Sequence, residues 1–334
     1  MATLKEISEI TKLSPSTISR ILNEDSSLNV QESTKKKVLE VAQQLNYKFT
    51  KKNNKNVSAS NGNFVVISSF SEKEEINDPY YLSIKYGIKN EATLKNVNVS
   101  FFYESDFSAI KDADGIIVIG KFSDESLEVL EKVTSNILLL DQQKKSAKFD
   151  NISIDLEEIT KSILTHFRKC GFKKIGYIGA RDFEEIRDEN EREKIFVNYC
   201  ILNSLNYTNS LYVGNEFSSN VGYELMTKMV NDGNVPEAIL VANDSLAIGV
   251  IKACHENKIS IPEMLSIFSI NDIPASEFTF PSLSTVHIDS EFLGSFGLKL
   301  LLDRYETNRQ FPVSVTIPTS LVFRESCKKL EDTL

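Results

Sequence analysis

Seven short apolar runs recur along the chain from residue 64, each nearly unbroken. They are FVVISSF from Phe64, VSFFYE from Val99, GIIVIG from Gly115, NILLLD from Asn136, KIGYIG from Lys174, AILVAN from Ala238 and LSIFSI from Leu265. A strand with one wet face alternates apolar and polar residues, whereas a run that is apolar throughout belongs to a strand buried on both faces. Helical patterns lie between the runs, over Pro79–Leu94, Glu157–Cys170, Glu191–Leu205 and Val221–Val230. Strands alternating with helices predict a parallel sheet. The roughly 270 residues that carry this pattern exceed one doubly wound domain, so two lobes are expected. Ligands of such folds bind outside the carboxyl ends of the strands.

Residues 4–47 follow a different rule. Leu4, Ile7, Ile10 and Leu13 recur at three-residue spacing, as on one face of a helix. Ser14 followed by Pro15 is a start signal, because Ser caps unpaired amides and Pro fits the first helical position. Ile18, Ile21 and Leu22 give the second helix its buried face, and Val38, Leu39, Ala42 and Leu45 give a third helix its stripe. Lys35, Lys36 and Lys37 sit on the first turns of that helix, against the preference of its dipole. The placement suits either a nearby phosphate or a solvated face. The stretch KFTKKNNKNVSASNGN, Lys48 to Asn63, is almost devoid of apolar residues and reads as a linker. Charge divides at the same place: residues 1–56 carry a net +4, and the remainder −13 of the total −9. A basic head on an acidic body directs the head alone toward a polyanion. The expected domains are therefore a helix-turn-helix head, 1–48, a hinge, 49–63, and a two-lobed ligand-binding and dimerisation body, 64–334.

A helix that reads DNA must fit the major groove, which is about 12 Å wide. At 1.5 Å per residue, Pro15–Leu22 spans about 12 Å. With Ile18, Ile21 and Leu22 turned inward, Ser16, Thr17, Ser19 and Arg20 face outward. Hydroxyls serve phosphates or bases, and Arg20 can pair with guanine O6 and N7. The plainer reading is a small structural three-helix subdomain.

At these residues the sequence resembles the lactose/galactose-repressor (LacI/GalR) family. MATLKEISEITKLSPSTISRILN is similar to the family's opening, with Thr3, Ser14, Thr17, Ser19, Arg20 and Asn23 in its DNA-contacting positions. The similarity continues through LNVQESTKKKVLEVAQQLNY, EINDPYYLSIKYGI from Glu75, VANDSLAIGVIKACHENKISIPE from Val241 and FSINDIPASEFTFPSLSTVHIDSEFLG from Phe268. It is greatest toward repressors of galactose operons and of evolved β-galactosidase. The resemblance implies a body like the type I periplasmic sugar-binding proteins, an operator of double-stranded DNA, a homodimer, a small sugar effector and no cofactor. Residues after the capping Ser choose the operator in that family; here they are Pro15 and Ser16, neither able to make a bidentate base contact. Three positions depart from the pattern. Lys12 stands where the family commonly has Gly. The hinge TKKNNKN, Thr50 to Asn56, lacks the Leu that wedges into the minor groove, leaving Lys51 and Lys52 to follow the backbone electrostatically. Asn271 replaces an Asp of many relatives.

The resemblance places sugar contacts at Arg192, Asn243, Asn271, Asp78, Tyr80 and Tyr81, with Lys121 and Asp155 as further carry-overs. Each has a bland reading. Asn243 or Asp244 can cap the following helix, Arg192 sits in a charged run, Tyr80 and Tyr81 can be core aromatics, and His287 reads as a packed or rim residue. No dinucleotide fingerprint, P-loop or nucleophile elbow occurs, so an enzyme is not expected. A transport protein of similar fold would need a signal peptide and no helix-turn-helix. The opening residues lack an apolar signal region and no stretch approaches about 18 unbroken apolar residues, so a cytoplasmic location without membrane contact is expected. Cys170, Cys200, Cys254 and Cys327 lack paired spacing and read as buried apolar residues, and no metal site is expected. A regulator answering to a different sugar, a sugar phosphate or a protein co-regulator is the alternative.

Overall fold

In the computed structural model the chain forms two compact units, Met1–Ala59 and Ser60–Leu334. Residues 4–22, 30, 32–45, 62–103, 110–142, 146–181 and 191–330 are described. Thr3, Asn23, Lys51, Lys52 and the hinge as far as residue 61 lie outside them.

The head contains α1 (Leu4–Thr11), α2 (Pro15–Leu22) and α3 (Glu32–Gln44). Ile7, Ile18, Ile21, Leu22, Val38, Val41 and Ala42 form its core. Two expected core residues point outward: Ile10 is 51% exposed and Leu39 53%. Strict three-residue spacing slips by about 60° per step on a 3.6-residue helix, so Thr11 rather than Ile10 turns inward behind Ile7. In α3 the buried stripe runs through Val41 instead of Leu39 for the same reason. Lys12, between α1 and α2, has φ of 61°. Side chains resist this left-handed conformation and glycine does not. Lys12→Gly is therefore expected to stabilise the head by about 0.5–1 kcal/mol, read as a higher denaturant midpoint; an unchanged or lowered midpoint would contradict it.

The body's first lobe is built from β1 (Asn63–Ser68), α4 (Glu72–Asn77), α5 (Pro79–Lys95), β2 (Asn98–Tyr103), β3 (Gly115–Ile119), α6 (Asp124–Glu131), β4 (Ile137–Leu140) and β5 (Asp150–Ile154). The second contains α7 (Leu156–Lys169), β6 (Ile175–Ala180), α8 (Glu191–Leu202), β7 (Leu211–Gly214), α9 (Ser219–Asn231), β8 (Ala238–Val241), α10 (Asp244–Glu256) and β9 (Ser266–Phe268). The remaining elements are β10 (Thr285–His287), α11 (Ser290–Thr307), β11 (Ser314–Ile317) and β12 (Ser320–Val322). The first sheet runs β11-β5-β4-β3-β1-β2 and the second β7-β6-β8-β9, both parallel throughout. Helix α11 returns to the first lobe, packing on α5, β3 and β4. The chain thus passes between lobes at β5–α7, β10–α11 and β11–β12, and the antiparallel pair β10-β12 gathers the last two crossings. Cys200, Cys254 and Cys327 are buried as expected, and Cys170 partly so. No helix among the described residues is long and apolar enough to cross a membrane.

Candidate functional site

The carboxyl ends of both sheets open on one cavity. Of the eight residues expected at a sugar site, Asp78, Tyr80, Tyr81, Lys121, Arg192, Asn243 and Asn271 line it together. Asp155 does not; its carboxylate caps α7, accepting from the Glu158 amide at 2.9 Å. Its neighbour Leu156 reaches the cavity instead.

Local structure aims the lining side chains. Asp78 lies between α4 and α5, where Pro79 starts the second helix and the Tyr80 amide donates to Asp78 Oδ1 at 3.3 Å. Asn243 caps α10, accepting from the Leu246 amide at 2.9 Å, while its Nδ2 donates to Asp78 Oδ2 at 2.7 Å. That bond spans the cleft from the second lobe to the first. Asn77 and Glu216 form a second one. Capping and cleft-lining are thus one arrangement for Asn243, not alternatives. Asp244 sits behind the cavity, accepting from the hydroxyls of Thr285 (2.6 Å), Ser276 (2.8 Å) and Ser269 and from the Ile273 amide (2.9 Å). Arg192 is the second residue of α8, and the next residue, buried Glu193, is held by Arg181 at the end of β6. This pairing fixes the helix start and leaves Arg192 at the cavity. Phe70 stacks on Tyr81 with ring centroids 3.8 Å apart, and Tyr80 meets Tyr81 edge-on at 5.1 Å.

Five carboxylates, Glu74, Asp78, Asp141, Glu191 and Glu216, face two cations, Lys121 and Arg192, in the lining. Burial pushes the Asp78 carboxyl above its usual range, opposed by the Asn243 and Tyr80 hydrogen bonds. Burial also raises Asp141 to about 6, against the pull of Arg192. Such a cavity suits a neutral, hydroxyl-rich ligand, because carboxylates accept from hydroxyls and aromatic faces cover apolar ring surface. It repels an anion.

In the head, the Ser14 hydroxyl accepts from the Thr17 amide at 3.1 Å and meets the Thr17 hydroxyl at 2.8 Å, starting α2 as anticipated. Pro15 and Arg20 are exposed and Thr17 and Ser19 half-buried. The side chain of Ser16 lies outside what the structure describes. The outward face therefore carries Arg20 with hydroxyls beside it.

Two sequence patterns match the chain: bacterial regulatory proteins of the lacI family over residues 3–49, and the periplasmic binding protein-like domain over 164–327. The HTH-type transcriptional repressor MelR of Bacillus subtilis is 33% identical, over 98% of this chain and 98% of that one. The chain belongs to the LacI family. The regulator GalR of Streptococcus thermophilus is 30% identical over 98% of this chain and all of that one. Two solved regulator structures share the fold. One is the regulator CelR in complex with cellobiose, with TM-score 0.69, 16% identity, and 98% and 100% coverage of the two chains. The other is the lac repressor dimer bound to operator and the anti-inducer ONPF, with TM-score 0.69, 21% identity, and 97% and 98% coverage. As a LacI-family member the chain is a DNA-binding transcriptional regulator and not an enzyme.

Several lining residues escaped the sequence reading: Phe70, Asn77, Asp141, Glu216 and Phe217. Most follow strand ends, with Asp141 after β4 and Glu216 shortly after β7. The rule that ligands sit beyond carboxyl strand ends, applied to every strand of this LacI-family body, would have found Asp141, whose run NILLLD was in view. Glu216 and Phe217 follow a strand that the apolar pattern does not reveal. His287 is not among the residues that line the cavity; it is half-exposed, its Nδ1 at 2.9 Å from Asp272 Oδ2.

Proposed function

We propose that this protein is a cytoplasmic homodimeric repressor that holds a near-palindromic operator and releases it when a small neutral sugar, a galactoside, occupies the cleft. The observation that carries the reading is the Asp78–Asn243 bond across the cleft, in a cavity that also contains Arg192 and the Phe70–Tyr81 stack. A ligand between these groups touches both lobes and biases their angle by its differential affinity for the two arrangements. The excess of lining carboxylates favours a neutral sugar over a sugar phosphate. The galactoside assignment rests on the resemblance of the NDPYY, VAND and FSIND segments to galactose-operon repressors. Two-fold pairing is expected because one small head gives little specific affinity and symmetry doubles it.

On DNA, Arg20→Ala is expected to cost roughly 1–3 kcal/mol at one base pair of the operator while random DNA is bound nearly as before. Titrations of operator and random duplexes at one salt concentration separate these effects, and equal loss on both would remove Arg20 from base reading. The cleft is tested by thermal shift against monosaccharides and disaccharides. A sugar at one hundred times its Kd adds about 2.7 kcal/mol of stability. Binding through the ionised carboxylate of Asp141 competes with protons, so affinity should fall as pH drops through about 6. A sugar whose affinity is flat between pH 5 and 8 would show that Asp141 does not hold it.

A further inference from the structure

We infer that Asp272 is a positioning residue that sets the angle between the lobes and holds Asn271 at the cleft. Its consequence for regulation rests on the reading of the cleft as the effector site; its role at the hinge does not. Asn271 has φ of 120° and Asp272 φ of 56°. Two consecutive residues other than glycine in positive φ persist only where the surroundings over-determine them, and such strain gathers at ligand clamps and switches.

The Asp272 carboxylate supplies that determination. Oδ1 accepts from Arg324 Nη2 at 2.7 Å, and Oδ2 meets His287 Nδ1 at 2.9 Å. The backbone adds to it: the Asn271 amide donates to Val286 O at 3.0 Å, and the Asp272 amide to the Thr285 hydroxyl at 3.3 Å. Arg324 also donates to Leu283 O at 2.8 Å. His287 ends β10, three residues before α11 re-enters the first lobe, and Arg324 follows β12, just after the last crossing. One carboxylate therefore ties two of the three crossings to the residue beside it that lines the cavity. A ligand that moves Asn271 pulls on both crossings, and a change of lobe angle moves Asn271.

The test uses the full chain in a Cys170→Ser background, with spin labels at Glu128→Cys on α6 and Glu224→Cys on α9, both exposed positions on opposite lobes. Electron–electron double resonance reads the distance between them. The labelled chain is diluted into an excess of unlabelled chain so that only the pair within one chain is read, and with Asp272 intact one narrow distribution is expected. Asp272→Asn keeps the shape and removes the charge, and should displace and broaden the distribution without any sugar. Asp150→Asn is the reference. Asp150 is a buried carboxylate held by Arg304 and Arg309 within the first lobe, so its loss should lower stability and leave the distribution in place. If Asp272→Asn does not fold, His287→Gln and Arg324→Gln each remove one arm and should broaden the distribution to a smaller degree. An unchanged distribution in the variants that fold, or an equal change in Asp150→Asn, overturns the inference. Galactose is then added to the labelled chain with Asp272 intact. A distribution that does not respond counts against the galactoside reading and leaves the Asp272 result standing.

Discussion

Arg192→Ala is expected to abolish the response to sugar and leave operator binding intact, producing a repressor that does not let go. Arg192 is set at the start of α8 by its neighbour Glu193, which Arg181 holds, so its guanidinium reaches the cavity. A hydrogen bond from a charged donor is worth about 1.5–3 kcal/mol, and a forked pair onto adjacent hydroxyls gives about a hundredfold in affinity or more. The loss is compounded by charge. Arg192 opposes the burial that raises Asp78 and Asp141, so its removal leaves those carboxyls more readily protonated and poorer acceptors for hydroxyls. Operator titration with and without sugar checks both halves of the expectation. An Arg192→Ala protein that still releases DNA would remove this residue from the site.

Gly249→Ala is expected to destabilise the body by about 3 kcal/mol, near the upper end for overpacking. Helices α9 and α10 cross with their backbones in contact through a reciprocal pair. A Cβ on Gly249 would meet Ser219 O and stand 2.6 Å from Tyr223 N, and one on Gly222 would meet Leu246 O. These obstacles are backbone atoms, which cannot rotate away. Asn243 caps the start of helix α10, so the displacement also loosens the bond to Asp78. Chemical denaturation of the body should show a lowered midpoint with an unchanged slope. A loss below about 0.5 kcal/mol, the scale of a neutral surface substitution, would mean that the helices separate at little cost.

The central strands of both sheets were legible because burial on two faces leaves an apolar run that no other element of that length produces. Strand β5 was not. Its sequence, DNISI, is polar, and the reason lies about 150 residues away. Asp150 accepts from Arg304 at 3.3 Å, from Arg309 at 2.8 and 2.9 Å and from the Val313 amide at 2.8 Å. A buried carboxylate with four donors is satisfied, yet no local pattern announces donors so remote. Strands β7, β11 and β12 are three or four residues long, too short to show a period. The crossings at β10–α11 and β11–β12 were equally hidden, since they depend on α11 and β11 joining the first lobe.

Most of the expected residues that line the cavity stand in segments whose resemblance extends over many positions, such as NDPYY and VAND. Asp155 caps α7 away from the cavity, whereas Asp78 caps α5 and lines the cavity as well, and sequence does not tell the two cases apart. Lys12 shows a departure from family pattern becoming physical: the left-handed backbone that favours Gly is present, and a Lys occupies it.

The most direct measurement of the account is operator affinity of the full chain at fixed salt, with and without millimolar galactose or lactose. Couplings of this kind are typically about 1–3 kcal/mol. The account predicts that one of the two sugars weakens operator binding by about fivefold to 150-fold while random DNA is bound as before. Operator affinity unmoved by either sugar would contradict it.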